Sequence, residues 1–131
     1  MFEEAGFPAS ALDLMDESFP AWLAPRLGDG RYFGFVAEDE GAVAGGIGLV
    51  LLEWPPHPLH PTAEKRGYIL NVFVEPEYRG RGLAQELMLR AEDEFRMRGV
   101  TFAVLHASAM GRPVYERLGW DATSEMSKGL A

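Results

Sequence analysis

The chain has 131 residues, 47% of them hydrophobic and 24% charged, with a formal net charge of -8, which is one domain's worth of sequence and apolar enough to bury a core. It contains no cysteine, which excludes disulfides, thiolate metal sites and a cysteine nucleophile. The acidic balance runs against nucleic-acid binding, which asks for a basic face, and no apolar run is long enough to cross a bilayer as a helix.

Glu3 and Glu4 stand where a secretory signal would carry basic residues, which predicts a cytoplasmic protein. Residues 10–27 predict one or two short helices. Ser10 is a cap with Asp13 three residues on, and Leu12, Met15, Phe19, Trp22 and Leu23 recur at helical spacing. Pro20 is expected to interrupt or restart that pattern. Gly28, Asp29 and Gly30 form a turn. Residues 32–38 predict a strand, residues 38–41 a tight hairpin turn, and residues 42–52 the antiparallel partner. Gly45, Gly46 and Gly48 are poor strand formers, and their presence points to a bulge or a close backbone approach.

Residues 53–65 contain four prolines and read as an irregular loop of the kind that often covers a binding site. Residues 67–74 predict an apolar strand at the sheet centre. Residues 82–98 predict a helix with Leu83, Ala84, Leu87, Met88, Ala91 and Phe95 on one face, ended by Gly99. Residues 100–107 predict a second buried strand, parallel to the first because a helix connects them. A short helix over 112–118 and a last strand over 120–127 complete an α/β fold. Its sheet is expected to be mixed and mostly antiparallel, with a central parallel pair and flanking helices.

The junction at residues 79–84 carries Arg79, Gly80, Arg81, Gly82, Leu83 and Ala84. A helix N-terminus presents unpaired N–H groups and a positive dipole end, glycines let an anion approach the backbone, and arginines add charge. The reading is a pyrophosphate cradle, or else a plain strand-to-helix junction. No Gly-Lys-Ser/Thr follows, which excludes a nucleotide-hydrolase P-loop, and the glycine spacing does not suit a dinucleotide fold.

This block matches R/Q-x-x-G-x-G/A, and "VFVEPEYRG" before it and "PVYERLGW" at 113–120 keep the same order, the latter close to "FYEKLGF". In these motifs the chain resembles the GCN5-related N-acetyltransferases (GNAT) over roughly residues 30–127. The resemblance implies one N-acetyltransferase domain over 1–131, with a cofactor core at about residues 66–120. It implies an enzyme that moves an acetyl group from acetyl-CoA directly to an amine of a small molecule or a protein, without metal. The pyrophosphate would lie on the backbone of Arg79 to Ala84, and the pantetheine arm along the main chain of Val72, Phe73 and Val74, where an N–H would stabilise the oxyanion. Tyr115 corresponds to the tyrosine near the departing sulfur, a general acid. Ser108 stands where many relatives have asparagine, so a cofactor contact there is open. Asn71 lies where some relatives place a glutamate, although an amide cannot serve as base.

For the base, Glu53, His57 and His106 are candidates. His57 and His60 have a metal-like spacing but no third ligand. Trp54 either walls an acceptor pocket or covers the core. Asp13, Asp16 and Glu17 suit a cationic acceptor and suit plain solvation equally. Relatives open with a strand and a full first helix, whereas this chain lacks that strand and most of that helix, with residues 1–6 as the helix's tail. Either the start is shortened, or a second subunit in a homodimer covers the exposed edge. A non-catalytic acyl-CoA-binding sensor is the alternative reading.

Overall fold

In the computed structural model, residues 9–130 are described, with side chains from residue 18 onward. The order is α1 (Ala9–Asp29), β1 (Tyr32–Asp39), β2 (Ala42–Glu53), β3 (Lys65–Val74), α2 (Leu83–Met97), β4 (Ala103–Leu105) and α3 (Arg112–Arg117). Glu40 and Gly41 close the first hairpin with φ of 50° and 84°, the pair of positive angles whose twist matches that of the strands they join. The sheet order is β1-β2-β3-β4, with the first two pairings antiparallel and β3 parallel to β4.

The core lies between this sheet and α2. Leu87, Met88, Ala91 and Phe95 fall on one stripe of α2 and are all buried. They meet Ile47 and Leu49 from β2, Ile69 from β3, and Val100 and Tyr115. Each large side chain buried in this way stabilises by about 1.5–3 kcal/mol. The opposite face of α2 carries solvated ion pairs, Arg90–Glu86 and Arg96–Asp93 among them, which keep it wet and add little stability. Among the described residues no helix is long and apolar enough to cross a membrane.

Five expectations change. The segment before β1 is one helix of 21 residues with Pro20 and Pro25 inside it, and Ser10 lies within the helix rather than at its cap. Each proline removes a single intrahelical bond, which bends a helix whose flanking turns remain bonded without ending it. Residues 1–6 and the side chains of Leu12, Asp13, Met15, Asp16 and Glu17 lie outside what is described. The second parallel strand contracts to Ala103–Leu105, because Val100 gives its N–H to Phe95 O at 2.9 Å and closes the end of α2 instead.

Residues 120–127 form no strand. Trp120, Ala122 and Met126 alternate with polar residues as a half-buried strand's would, but alternation alone does not secure a pairing partner. The parallel pair consequently sits at an edge of the sheet. The proline-rich loop is irregular as expected, but it lies at the far end of β3 from the glycine turn. Its His60 is 2% exposed, and Arg66 reaches it with Nη2 to Nε2 at 3.0 Å while stacking over Trp54 at 4.1 Å and Phe102 at 5.0 Å. Since arginine only donates, Nε2 of His60 accepts and the ring proton is on Nδ1, which is buried without a partner.

Candidate active site

The strand-to-helix turn is built by backbone conformation. Pro76–Tyr78 forms one 3-10 turn after β3, and Gly80 and Gly82 follow with φ of 77° and 79°. These are left-handed angles that a side chain resists, and a Cβ at either position would point into open space. The glycines are therefore there for their angles, and the turn is open on its outer side. Glu86 N–H bonds Gly82 O at 3.1 Å, so the N–H groups of Leu83, Ala84 and Gln85 have no acceptor within α2. Arg79 gives Nε to Val74 O at 3.1 Å and clamps the turn to the end of β3. Arg81 lies over the Tyr78 ring at 5.5 Å, and Tyr78 donates its hydroxyl to Asp39 at 3.0 Å. That bond, the Asp39 carboxylate and some burial hold the Tyr78 phenol above its ordinary pKa.

Beside it the sheet splits. β3 pairs with β4 only from Gly67 to Ile69 against Ala103 to Leu105, whereas against β2 it stays paired out to Val74. Among the described residues, one main-chain edge of Val72, Phe73 and Val74 therefore has no neighbouring strand. Val72 and Leu83 pack beneath on the core that contains Tyr115. Where the split begins, the β2–β3 register slips: Gly48 faces Asn71 and Leu49 faces Ile69, leaving Leu70 as the extra residue of a bulge.

Three glycines in β2 make room there. Gly48 lies under the Tyr32 hydroxyl, which a Cβ would strike, and a Cβ on Gly46 would stand 2.8 Å from the Phe73 ring. At Gly45 it would stand 2.6 Å from Phe73 O. Tyr32 thereby crosses β2 and receives the Asn71 amide Nδ2–H at 2.8 Å. Both a bulge and a close approach are present, as the glycines implied.

Tyr115 sits on α3, 8% exposed, and its hydroxyl lies beside Gly111, where a Cβ would be 2.7 Å away. Burial pushes its pKa up, so it holds its proton through neutral pH. Ser108 accepts Gly111 N–H on Oγ at 3.0 Å and Arg112 N–H on its carbonyl at 2.9 Å, which commits it to starting α3.

His106 follows β4, its ring 5.7 Å from Tyr68 and its Nε2 4.0 Å from a Glu125 oxygen. Burial first, and then Glu125, raise the Tyr68 pKa. Tyr32, Val50, Tyr68 and Val104 form one row across the sheet, which puts Tyr68 and His106 on the face that Tyr32 and Asn71 share. Glu53 pairs with Lys65, six residues from Asn71, or about 20 Å at the rise of an extended strand. His57 accepts Leu59 N–H at 3.1 Å in the same distant loop, and Trp54 is held there by Arg66. Among the described residues no three His, Asp or Glu side chains gather to hold a metal ion.

Sequence reasoning did not single out Tyr32, Leu70, Tyr68 or Glu125, and it counted Phe19 and Trp22 only as a helix face. In the fold Phe19 and Trp22 stack at 6.1 Å, Trp22 meets Tyr32 edge-on at 6.0 Å, and Phe19 and Trp22 line a cleft with Leu70 and Asn71. The three-residue spacing of Phe19 and Trp22 was the available signal.

A family model described as the acetyltransferase (GNAT) family matches residues 2–120. Among solved structures, a GCN5-related N-acetyltransferase from Ralstonia eutropha JMP134 superposes with a TM-score of 0.97 at 58% identity, covering 99% of this chain and 85% of that one. A predicted acetyltransferase with acetyl-CoA from Clostridium acetobutylicum gives 0.81 at 27% identity, covering 88% of this chain and 75% of that one. A glucosamine 6-phosphate N-acetyltransferase of Trypanosoma brucei brucei is 38% identical over 56 residues, which is 43% of this chain and only 38% of that enzyme's length.

Proposed function

The chain belongs to the acetyltransferase (GNAT) family, and from that premise we propose that it moves an acetyl group from acetyl-CoA directly to an amine. One observation carries this reading: the unpaired edge of β3 leads straight onto a left-handed glycine turn at the start of α2. The residues fit the cosubstrate. Gly80 and Gly82 present backbone with open space where a Cβ would stand, and Leu83, Ala84 and Gln85 offer N–H groups to a diphosphate. The free edge of Val72 to Val74 can bond an amide-bearing arm as a strand would.

When bound, acetyl-CoA supplies the acyl carbon that the amine attacks: a C–N bond forms, the C–S bond breaks, the nitrogen gives up one proton and the sulfur gains one. Tyr115 is the residue we assign to the sulfur's proton, since burial keeps its hydroxyl protonated and no described residue bonds it. A main-chain N–H of the β3 edge is assigned to the carbonyl oxygen. Asn71 cannot take a proton and is assigned to orienting the amine. His106 is assigned to the amine's proton because it shares a sheet face with Asn71 and has Glu125 beside it, whereas Glu53 and His57 lie at the other end of β3. Glucosamine 6-phosphate, named for one relative, is among the amines to try.

Calorimetric titration with acetyl-CoA and with CoA tests the reading, repeated on Gly82→Glu. Binding in the micromolar range that the carboxylate and its Cβ remove, followed by thiol release that Tyr115→Phe slows, is the expected outcome. Folded wild-type chain that binds neither ligand would sink the proposal, and binding without thiol release for any amine would instead favour the acyl-CoA sensor.

A further inference from the structure

Next to Asn71, α1 and β3 border an open cleft of about 340 Å³ lined by Phe19, Trp22, Leu70 and Asn71. We infer that it takes an amine carried on an uncharged aromatic or alkyl body, and that such amines are the acceptors of the acetyl transfer proposed above, on which this inference rests. The volume is at the small end of ligand sites and suits one ring with a short amine arm.

The chemistry of the walls sets the class. Three of the four lining residues are apolar, and they are left wet: Trp22 is 36% exposed and Leu70 40%. Large apolar groups gathered at one exposed cleft are among the marks of a ligand-binding groove. The bulge has a part in this. In regular alternation Leu70 and Asn71 would point to opposite faces of the sheet, but the extra residue brings both to the cleft. An apolar wall and one amide thus meet at the start of the split.

The polar equipment is correspondingly small. Asn71 spends Nδ2–H on Tyr32, which leaves Oδ1 as the acceptor for one amine N–H. No charged side chain is among the described residues lining the cleft. Among the described lining residues a second ammonium seated here finds no carboxylate to replace its water. Nor do the rings make a cage for a permanent cation, because the Arg26 guanidinium already lies over Trp22 at 4.4 Å.

The test is an acceptor ranking by thiol release on the full chain with acetyl-CoA saturating, using phenethylamine, hexylamine, spermidine and glucosamine 6-phosphate. Phenethylamine or hexylamine should exceed the two multiply charged amines by about tenfold or more in kcat/KM. Trp22→Ala should raise KM for phenethylamine about tenfold with kcat nearly kept, and Leu70→Asp should turn the ranking toward spermidine. The wild-type ranking stands by itself if Trp22→Ala fails to fold. Preference for spermidine or glucosamine 6-phosphate, or no turnover of the apolar amines by a chain that binds acetyl-CoA, overturns the inference and leaves acetyl-CoA binding intact. Absence of acetyl-CoA binding in the calorimetric titration overturns the transfer reading and takes this inference with it.

Discussion

The Asn71 amide on β3 donates to the Tyr32 hydroxyl on β1 at 2.8 Å, across the whole width of the strand between them. The crossing exists because Gly48 has no Cβ to obstruct it. Gly48→Ala should therefore cost about 1–3 kcal/mol, as overpacking does. Tyr32→Phe, which loses one hydrogen bond and keeps the ring, should cost about 1 kcal/mol. Urea unfolding of both variants checks the order, and both should raise KM for the amine by releasing Asn71.

Tyr115→Phe separates chemistry from binding. Thiol release should fall about a hundredfold, in the range of a lost general acid, while acetyl-CoA affinity stays nearly unchanged. The same variant has a signature at high pH. Burial raises the Tyr115 pKa above 10.0, so the folded chain holds that proton more tightly than the unfolded one. The resulting stability is complete below about pH 10 and is lost as pH rises through the folded value. The variant should lose less stability than wild type in that alkaline window, as read by unfolding curves taken at increasing pH.

His106→Gln should lower kcat about a hundredfold or more with acetyl-CoA affinity kept, if the amine's proton leaves by this route. Glu125→Gln should lower it less, since that carboxylate is 4.0 Å away and can only bias the ring. Equal turnover by wild type and His106→Gln would remove His106 from the mechanism.

Arg66→Ala should loosen the proline-rich loop. It removes two ring contacts and the hydrogen bond to His60, for a loss of about 2 kcal/mol. Limited proteolysis should then cut within residues 53–65 while acetyl-CoA still binds, because the glycine turn is at the other end of β3.

What was legible in the sequence was what local chemistry decides. The hairpin around Glu40 and Gly41, the buried stripe of α2 and the parallel return into β4 all follow from turn residues and periodicity. The turn after β3 was legible because glycine at 80 and 82 has few purposes at a helix start, and both take left-handed angles. What was not legible depends on register. Nothing local to Leu70 announces that it will be the extra residue of a bulge, and without that slip Asn71 would not meet Tyr32, 39 positions away. The strand expected over 120–127 is absent because the alternation of Trp120, Ala122 and Met126 says nothing about which edge would pair with it. Pro20 misled because a proline's local effect is strong, yet a helix needs only the bonds of its neighbouring turns.

Two rings, Tyr32 and Phe73, each rest on the bare backbone of a glycine in β2, at 48 and at 46. The consequence lies in descent. The order of change is constrained: a side chain gained by the glycine meets the ring, so the ring has to give way before the glycine does. Lineages carrying this fold should therefore inherit 32 with 48, and 73 with 46, as joined characters. A branch that replaced Tyr32 by a small residue would be the one in which position 48 regained its freedom to vary, and it would have lost its hold on Asn71 at the same step.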